Sequence, residues 1–119
     1  MATRALKRIK SEWDGRVMLY QWTGLTKATD DVGEPLVLPQ YSDKTIHVTG
    51  TGGVGGVVTI EGSNELDSAN WATLDDPQGN ALAMAVDKIE AVLENTYRIR
   101  PRVTAGDGTT NLTVTVLVT

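Results

Sequence analysis

The sequence predicts an all-β fold: a single-domain antiparallel β-sandwich or jelly-roll with an extended N-terminal arm. Three observations predict it. Twelve glycines stand in a chain rich in Thr and Val, a mix that favours strands and tight turns over helices. Several short runs alternate apolar and polar residues with period two, most plainly NLTVTVLVT at 111–119. Turn signals separate these runs at regular intervals, which gives about seven or eight short strands. Phe is absent and the aromatics are three Trp and three Tyr, so Val, Leu and Ile must fill the space between the sheets. A length of 119 residues is one domain and one core.

Residues 1–14, MATRALKRIKSEWD, read as the arm, and residues 15–119 as the sandwich domain. Arg4, Lys7, Arg8 and Lys10 give the arm four of the eleven basic residues. It reads either as a solvated terminus or as a segment that docks on a neighbour, with Leu6, Ile9 and Trp13 as apolar anchors. Those three sit at i, i+3 and i+7, a spacing that also suits one short helix.

RVMLYQW at 16–22 is a strand with Met18, Tyr20 and Trp22 on one face and Val17 and Leu19 on the other. Residues 23–34 are polar and turn-rich and read as a surface loop. Pro35 and Pro39 bracket a short apolar stretch and remove ladder donors, which marks an edge strand or a corner. KTIHVT at 44–49 points Ile46 and Val48 inward and Thr45, His47 and Thr49 outward. GTGGVGG follows, then VVTIEG with Val58 and Ile60 on one face. WATL at 71–74 is a short strand, and DDPQGN at 75–80 a turn. Leu82, Met84 and Val86 share a face. Residues 87–93 fit one helical turn or a short strand. In NTYRIRPRV at 95–103, Tyr97, Ile99, Pro101 and Val103 face one side and Arg98, Arg100 and Arg102 the other. AGDGTT at 105–110 is a turn centred on Asp-Gly. In the last strand Leu112, Val114, Val116 and Val118 face the core.

Charge and chemistry narrow the function classes. Eleven Lys and Arg against fifteen Asp and Glu give a net charge of −4, which argues against a dedicated nucleic-acid binder. No apolar run has the roughly 18 residues of a membrane span, and no apolar segment follows the basic start as in a secretory signal. With no cysteine and one histidine, thiolate and multi-histidine metal sites are excluded within one chain. GTGGVG matches G-x-G-x-x-G, yet a β-branched run follows where a dinucleotide site needs a helix, so the glycines read as a hairpin loop. His47, between two threonines, reads as a solvated or hydrogen-bonded residue. Asp75, Asp76 and Asn80 are explained by their Pro-Gly turn without a metal. No nucleophile, base and oxyanion set can be assembled, so neither an enzyme nor a cofactor is expected.

The arginine stripe has two main readings, with nucleic acid as a third that the net charge weakens. Same-face residues in a strand lie about 6.5–7 Å apart, so three like charges need acidic neighbours. These are carboxylates of the same chain across the strand, or an acidic patch on a partner that arginine forks recognise. Trp71 reads as packing at a sheet end, with an exposed sugar-stacking role as the alternative.

The pieces from residue 44 onward form a pattern. A glycine-rich turn at Gly52–Gly56 precedes a strand ending in EGSN at Glu61–Asn64, then Trp71 and DPQGNAL at Asp76–Leu82. YRIRP at Tyr97–Pro101 and GDGT at Gly106–Thr109 complete it. Over residues 44–119 the sequence resembles small structural proteins of tailed bacteriophages. The resemblance implies a virion component, most like a capsid decoration (cement) protein that sits outside the head and clamps adjacent major capsid protein subunits. Tail, baseplate or fibre modules share such β pieces and are the alternative, with a carbohydrate-binding module using Trp71 as a third. The resemblance implies a protein made in the host cytoplasm, carried on the capsid exterior, and a dimer or trimer in place. The expected partner-binding residues are Arg4, Lys7, Arg8 and Trp13 of the arm and Arg98, Arg100 and Arg102 of the stripe. No nucleic acid, membrane, metal or cofactor is expected.

Overall fold

Strand β11 (Asn111–Val118) is the middle of its sheet, and Leu112, Val114, Val116 and Val118 are all fully buried, as their alternation predicts. It runs antiparallel to β3 (Val17–Thr26) on one side and to β5 (Lys44–Thr51) on the other, with Val116 opposite both Tyr20 and Ile46. β2 (Leu6–Glu12) lies outside β3, and β9 (Lys88–Ala91) outside β5. The order is β2-β3-β11-β5-β9. The second sheet has β10 (Arg98–Ala105) between β4 (Val32–Gly33) and β6 (Val57–Ser63). β1 (Thr3–Arg4) flanks β4, while β7 (Ala72–Thr73) and β8 (Ala83–Met84) both pair with β6. Every pairing is antiparallel except that of β1 with β4. The computed structural model describes residues 1–67 and 69–119, and no α-helix occurs among them.

The two sheets face each other over one apolar layer. Trp22, Leu25, Ile46 and Val48 from the first sheet meet Val58, Ile60, Met84, Ile99 and Val103 from the second. Leu36, Leu74 and Leu82 fill the sides. Full burial of one such aliphatic side chain contributes about 1.5–3 kcal/mol. Trp22 is the one large aromatic in this layer, and its indole Nε1 donates to the Glu34 carbonyl at 2.9 Å, so the ring is buried without losing a hydrogen bond.

Within residues 1–14, Thr3–Arg4 and Leu6–Glu12 are extended and form edge strands of the two sheets, and Trp13 and Asp14 turn the chain into β3. β1 joins the second sheet and, two residues on, β2 joins the first. The helical spacing of Leu6, Ile9 and Trp13 is not realised. Pairing with β3 wins instead, and of the three only Leu6 packs on the core. Residues 87–93 resolve in the same way, as strand β9.

The polar stretch 23–34 is a correction to the reading as a surface loop. β3 continues to Thr26, a tight turn spans 27–30, and Leu25, Asp31 and Val32 are buried. Asp31 organises this turn. Its carboxylate accepts from the Thr26 main chain at 2.9 Å, the Thr26 hydroxyl at 3.0 Å, the Thr29 hydroxyl, and Arg4 Nε at 2.7 Å. Its carbonyl accepts from Val103 N at 2.9 Å. One acidic residue therefore ties the N-terminal strand, the β3–β4 turn and β10 together.

The glycine-rich segment is likewise not a hairpin. It carries the chain from β5 in one sheet to β6 in the other, and residues 106–110 carry it back from β10 to β11. The two arches lie side by side, joined by the Asp107 carboxylate, which accepts from Val54 N at 2.9 Å and Thr109 N at 2.8 Å. Gly50 has φ +105°, and a Cβ there would meet the Asn111 carbonyl at 2.5 Å, so glycine is required where the arch leaves β5.

Burial alone would raise the Asp31 pKa. The hydrogen bonds from Thr29, Thr26 and Arg4 outweigh it and hold the group at about 2, below its usual 3.8. The unfolded chain therefore takes up this proton more readily than the folded one. The stability so gained is complete above about pH 4 and vanishes as pH falls through about 2. The difference is worth about 2 kcal/mol. Asp31→Asn is expected to lower unfolding free energy at pH 7 by about 2–3 kcal/mol in urea titrations and to make the acid loss shallower. Unchanged stability at pH 7 would remove Asp31 from this role.

Candidate interaction surfaces

The alternation of β10 sends Ile99, Pro101 and Val103 into the core and Arg98, Arg100 and Arg102 to the opposite face of the second sheet, where Arg98 is itself buried, Arg100 is half-buried and only Arg102 is well exposed. β6 supplies the neighbours: Ser63, Glu61 and Thr59 stand directly opposite the three arginines. Glu61 serves two of them. Its Oε1 lies 3.1 Å from Arg100 Nε and its Oε2 3.1 Å from Arg102 Nε. The cross-strand reading of the stripe is thus what the fold builds. Glu61 is shared between Arg100 and Arg102.

Trp71 completes this face. It precedes Ala72, which pairs with Gly62, and so lies beside the small Ser63. From there its ring contacts both Arg98 and Arg100, whose Cζ atoms lie 4.5 Å and 4.1 Å from the ring centroid. Such contacts contribute about 0.5–1 kcal/mol each at partly exposed sites. Trp71 is half-buried and already engaged by two cations, which fits packing at the sheet end better than a bare platform for a sugar. Beside it an open depression of about 490 Å³ is bounded by Met1, Pro35, Asp67, Arg98 and Arg100.

The arm residues divide. Arg4 turns inward to the buried Asp31. Lys7 and Arg8 are exposed on β2 and have no ion pair among the described residues. Lys10 pairs with Glu12 at 2.9 Å, both at the surface. Trp13 is 74% exposed at the tip of the β2–β3 hairpin. Six of the seven expected residues therefore form two groups on different sheets. Lys7, Arg8 and Trp13 line an edge of the first, and the three arginines share a face of the second, with Arg98 buried there. Arg4 stands apart from both, its Nε on Asp31 and its side chain partly exposed.

Sequence reasoning passed over Asp31 and Glu61, the two carboxylates that organise these arginines. Glu61 was legible as the acidic member of an alternating strand, but which strand would face it was not. Asp31 sat in a run of polar residues with no periodicity to mark it as buried. His47 lies on the outer face of the first sheet, opposite Thr115 and Ile89, and no cluster of His, Asp or Glu suited to a metal occurs among the described residues. The Asp76 carboxylate is occupied by Gln78 N and Asn80 N, at 2.9 Å and 3.0 Å.

Fold and surface together define a two-sheet β-sandwich with an arginine stripe on one sheet and exposed basic residues along the edge strand of the other. No family matches the sequence, and no curated protein does. Among solved structures the chain is similar to YomS, a protein derived from the SPBc2 prophage. The TM-score is 0.61 at 14% identity, over 86% of this chain and 93% of that one. At that identity the likeness shows a shared fold. KdgF from Halomonas sp. follows at TM-score 0.48 and 12% identity, over 95% and 76% of the two chains. FeII HppE follows at 0.44 and 9%, over 98% and 56%. No argument about this chain rests on the last two.

The shared carboxylate orders the arginine face. Glu61→Gln is expected to lower stability by about 2–3 kcal/mol, since it leaves two partly buried cations without their counter-charge. Arg102→Ala, at the exposed end, is expected to cost under about 1 kcal/mol. Urea unfolding of both variants checks the order, and equal losses would contradict it.

Proposed function

We propose that this chain is a non-enzymatic structural protein of a bacteriophage virion. In this reading it binds the outer surface of the capsid and clamps adjacent major capsid protein subunits. The observation that carries the reading is the fold shared with a prophage-derived protein across nearly the whole of both chains, by a sequence patterned like small virion proteins over residues 44–119.

The geometry supports a clamp. A bridging protein needs two surfaces that different neighbours can reach at once. The edge around Lys7, Arg8 and Trp13 and the face around Arg98, Arg100 and Arg102 belong to different sheets. A body held by one continuous apolar layer keeps the two surfaces at a constant separation, so binding at one does not cost order at the other. Each contact can be weak, because repetition over a symmetric shell multiplies it. Self-association as a dimer or trimer at a local symmetry axis would add closed contacts.

Co-sedimentation tests the reading. Purified protein is mixed with mature heads that lack it, with empty tails as control. Saturable binding to heads alone is expected, weakening as salt rises, and with a stoichiometry that matches a symmetry axis. Binding to tails alone selects a tail, baseplate or fibre module, and binding to neither overturns the virion assignment.

A further inference from the structure

Strand β2 ends its sheet, so one of its two hydrogen-bonding edges has no neighbouring strand among the described residues. The geometry identifies which groups are offered. Leu6 N donates to the Glu34 carboxylate at 3.0 Å and so points away from β3. The period of two places the N–H and C=O of Arg8 on that same open edge. Every residue from Lys7 to Glu12 is exposed.

An open edge is a hazard, and this one carries the usual protections. Lys7, Arg8 and Lys10 put like charges along it, and a bulge interrupts the ladder between Arg8 and Lys10. Protection alone does not explain the apolar residues. Ile9 is 50% exposed and Trp13 74%. Trp13, Asp14 and Gly15 take φ of 51°, 55° and 83°, three left-handed residues in succession. Only glycine holds that conformation without strain, which costs about 1–2 kcal/mol per ordinary residue. The turn is closed by Arg16 N on the Trp13 carbonyl at 3.1 Å, and the Tyr41 hydroxyl donates to Gly15 O. A strained turn thus holds a large indole in water at the end of an open strand.

We propose that the outer edge of β2 is a strand-addition site for an extended acidic segment of another protein, with Trp13 as the anchor at one end. The inference deepens the proposed function by naming a docking surface and the chemistry of its partner, and it rests on this chain being a binding protein. Charge selects the occupant. Lys10 is already paired with Glu12, so a second copy pairing through the same edge would bring Lys7 and Arg8, which have no ion pair among the described residues, against the same basic strand, which repels. Lys7 and Arg8 point to opposite faces of β2, so an acidic strand meets Lys7 with its carboxylates on one face, while its main chain supplies the hydrogen bonds that Arg8 offers.

The test is an NMR titration of the full chain with two synthetic eight-residue peptides, one alternating Glu and Val, the other Lys and Val. The Glu-Val peptide is expected to shift the amides of residues 7–13, with affinity falling about tenfold from low to physiological salt, and the Lys-Val peptide to leave them unmoved. Trp13→Ala is expected to weaken binding about 30-fold, the scale of a hot-spot truncation. Arg8→Pro removes the donor on the open edge and is expected to abolish binding at an unchanged melting temperature. If Arg8→Pro does not fold, the double variant Lys7→Glu, Lys10→Glu replaces it and should reverse the peptide preference. No shift with the acidic peptide, shifts centred on Arg98–Arg102, or binding that survives these variants would overturn the site. The same variants on heads separate the two readings. Heads that bind Arg8→Pro normally remove the edge and keep the capsid. Peptide binding without head binding does the reverse.

Discussion

The apolar layer between the sheets sets every other feature, and β11 is its spine. Its four inward residues are fully buried, and its two neighbours take their register from it. A slip of one residue would bring Thr113 and Thr115 into the layer and expose all four apolar side chains, so the pairing has one low-energy solution. With β3 and β5 placed, the inward residues of β6 and β10 have one surface to cover. The arches at 50–56 and 106–110 follow from the need to cross between sheets at the same end, and Asp107 joins them there.

Electrostatics then decides which charges belong to the fold and which face outward. Asp31 and Glu61 are both buried carboxylates, Asp31 met by Arg4, Thr26 and Thr29 and Glu61 by Arg100 and Arg102. Asp31 draws Arg4 inward and fastens the N-terminal strands to the body. Glu61 spaces Arg100 and Arg102 and, with Trp71, holds the guanidinium groups in set orientations. The network that stabilises the sheet thus also fixes the orientation of the guanidinium groups on it. The face and the fold are in that sense one construction.

The first sheet ends differently. On β2 the main chain itself is the offered group, and side-chain charge acts as the filter. Lysines and a bulge discourage pairing with like strands, while the exposed indole beyond them gives a fitting strand something to bury. A chain with a basic edge on one sheet and an arginine face on the other, on a net acidic body, is suited to holding neighbours together without collapsing on itself.

The strands were legible where alternation is strict. KTIHVT, the RIRPRV run and the last strand need only period two to assign their faces, and the structure keeps each of those faces. The all-β class followed as well, because the abundance of Gly, Thr and Val favours strands and turns over helices. Tertiary structure decided what lies beyond local periodicity. Which strands sit side by side depends on matching faces far apart in sequence, so Glu61 opposite Arg100 could not be read from either strand alone. The N-terminal residues carry three apolar side chains at helical spacing, and only the presence of β3 as a pairing partner made them strands. Asp31 is the sharpest case. A carboxylate in a polar run is ordinarily solvated, and its burial is favourable only because Thr26, Thr29 and Arg4 converge on it once the chain has folded. Local pattern determined the strands and the sides they show; the partners that long-range folding brings together determined where the charges went.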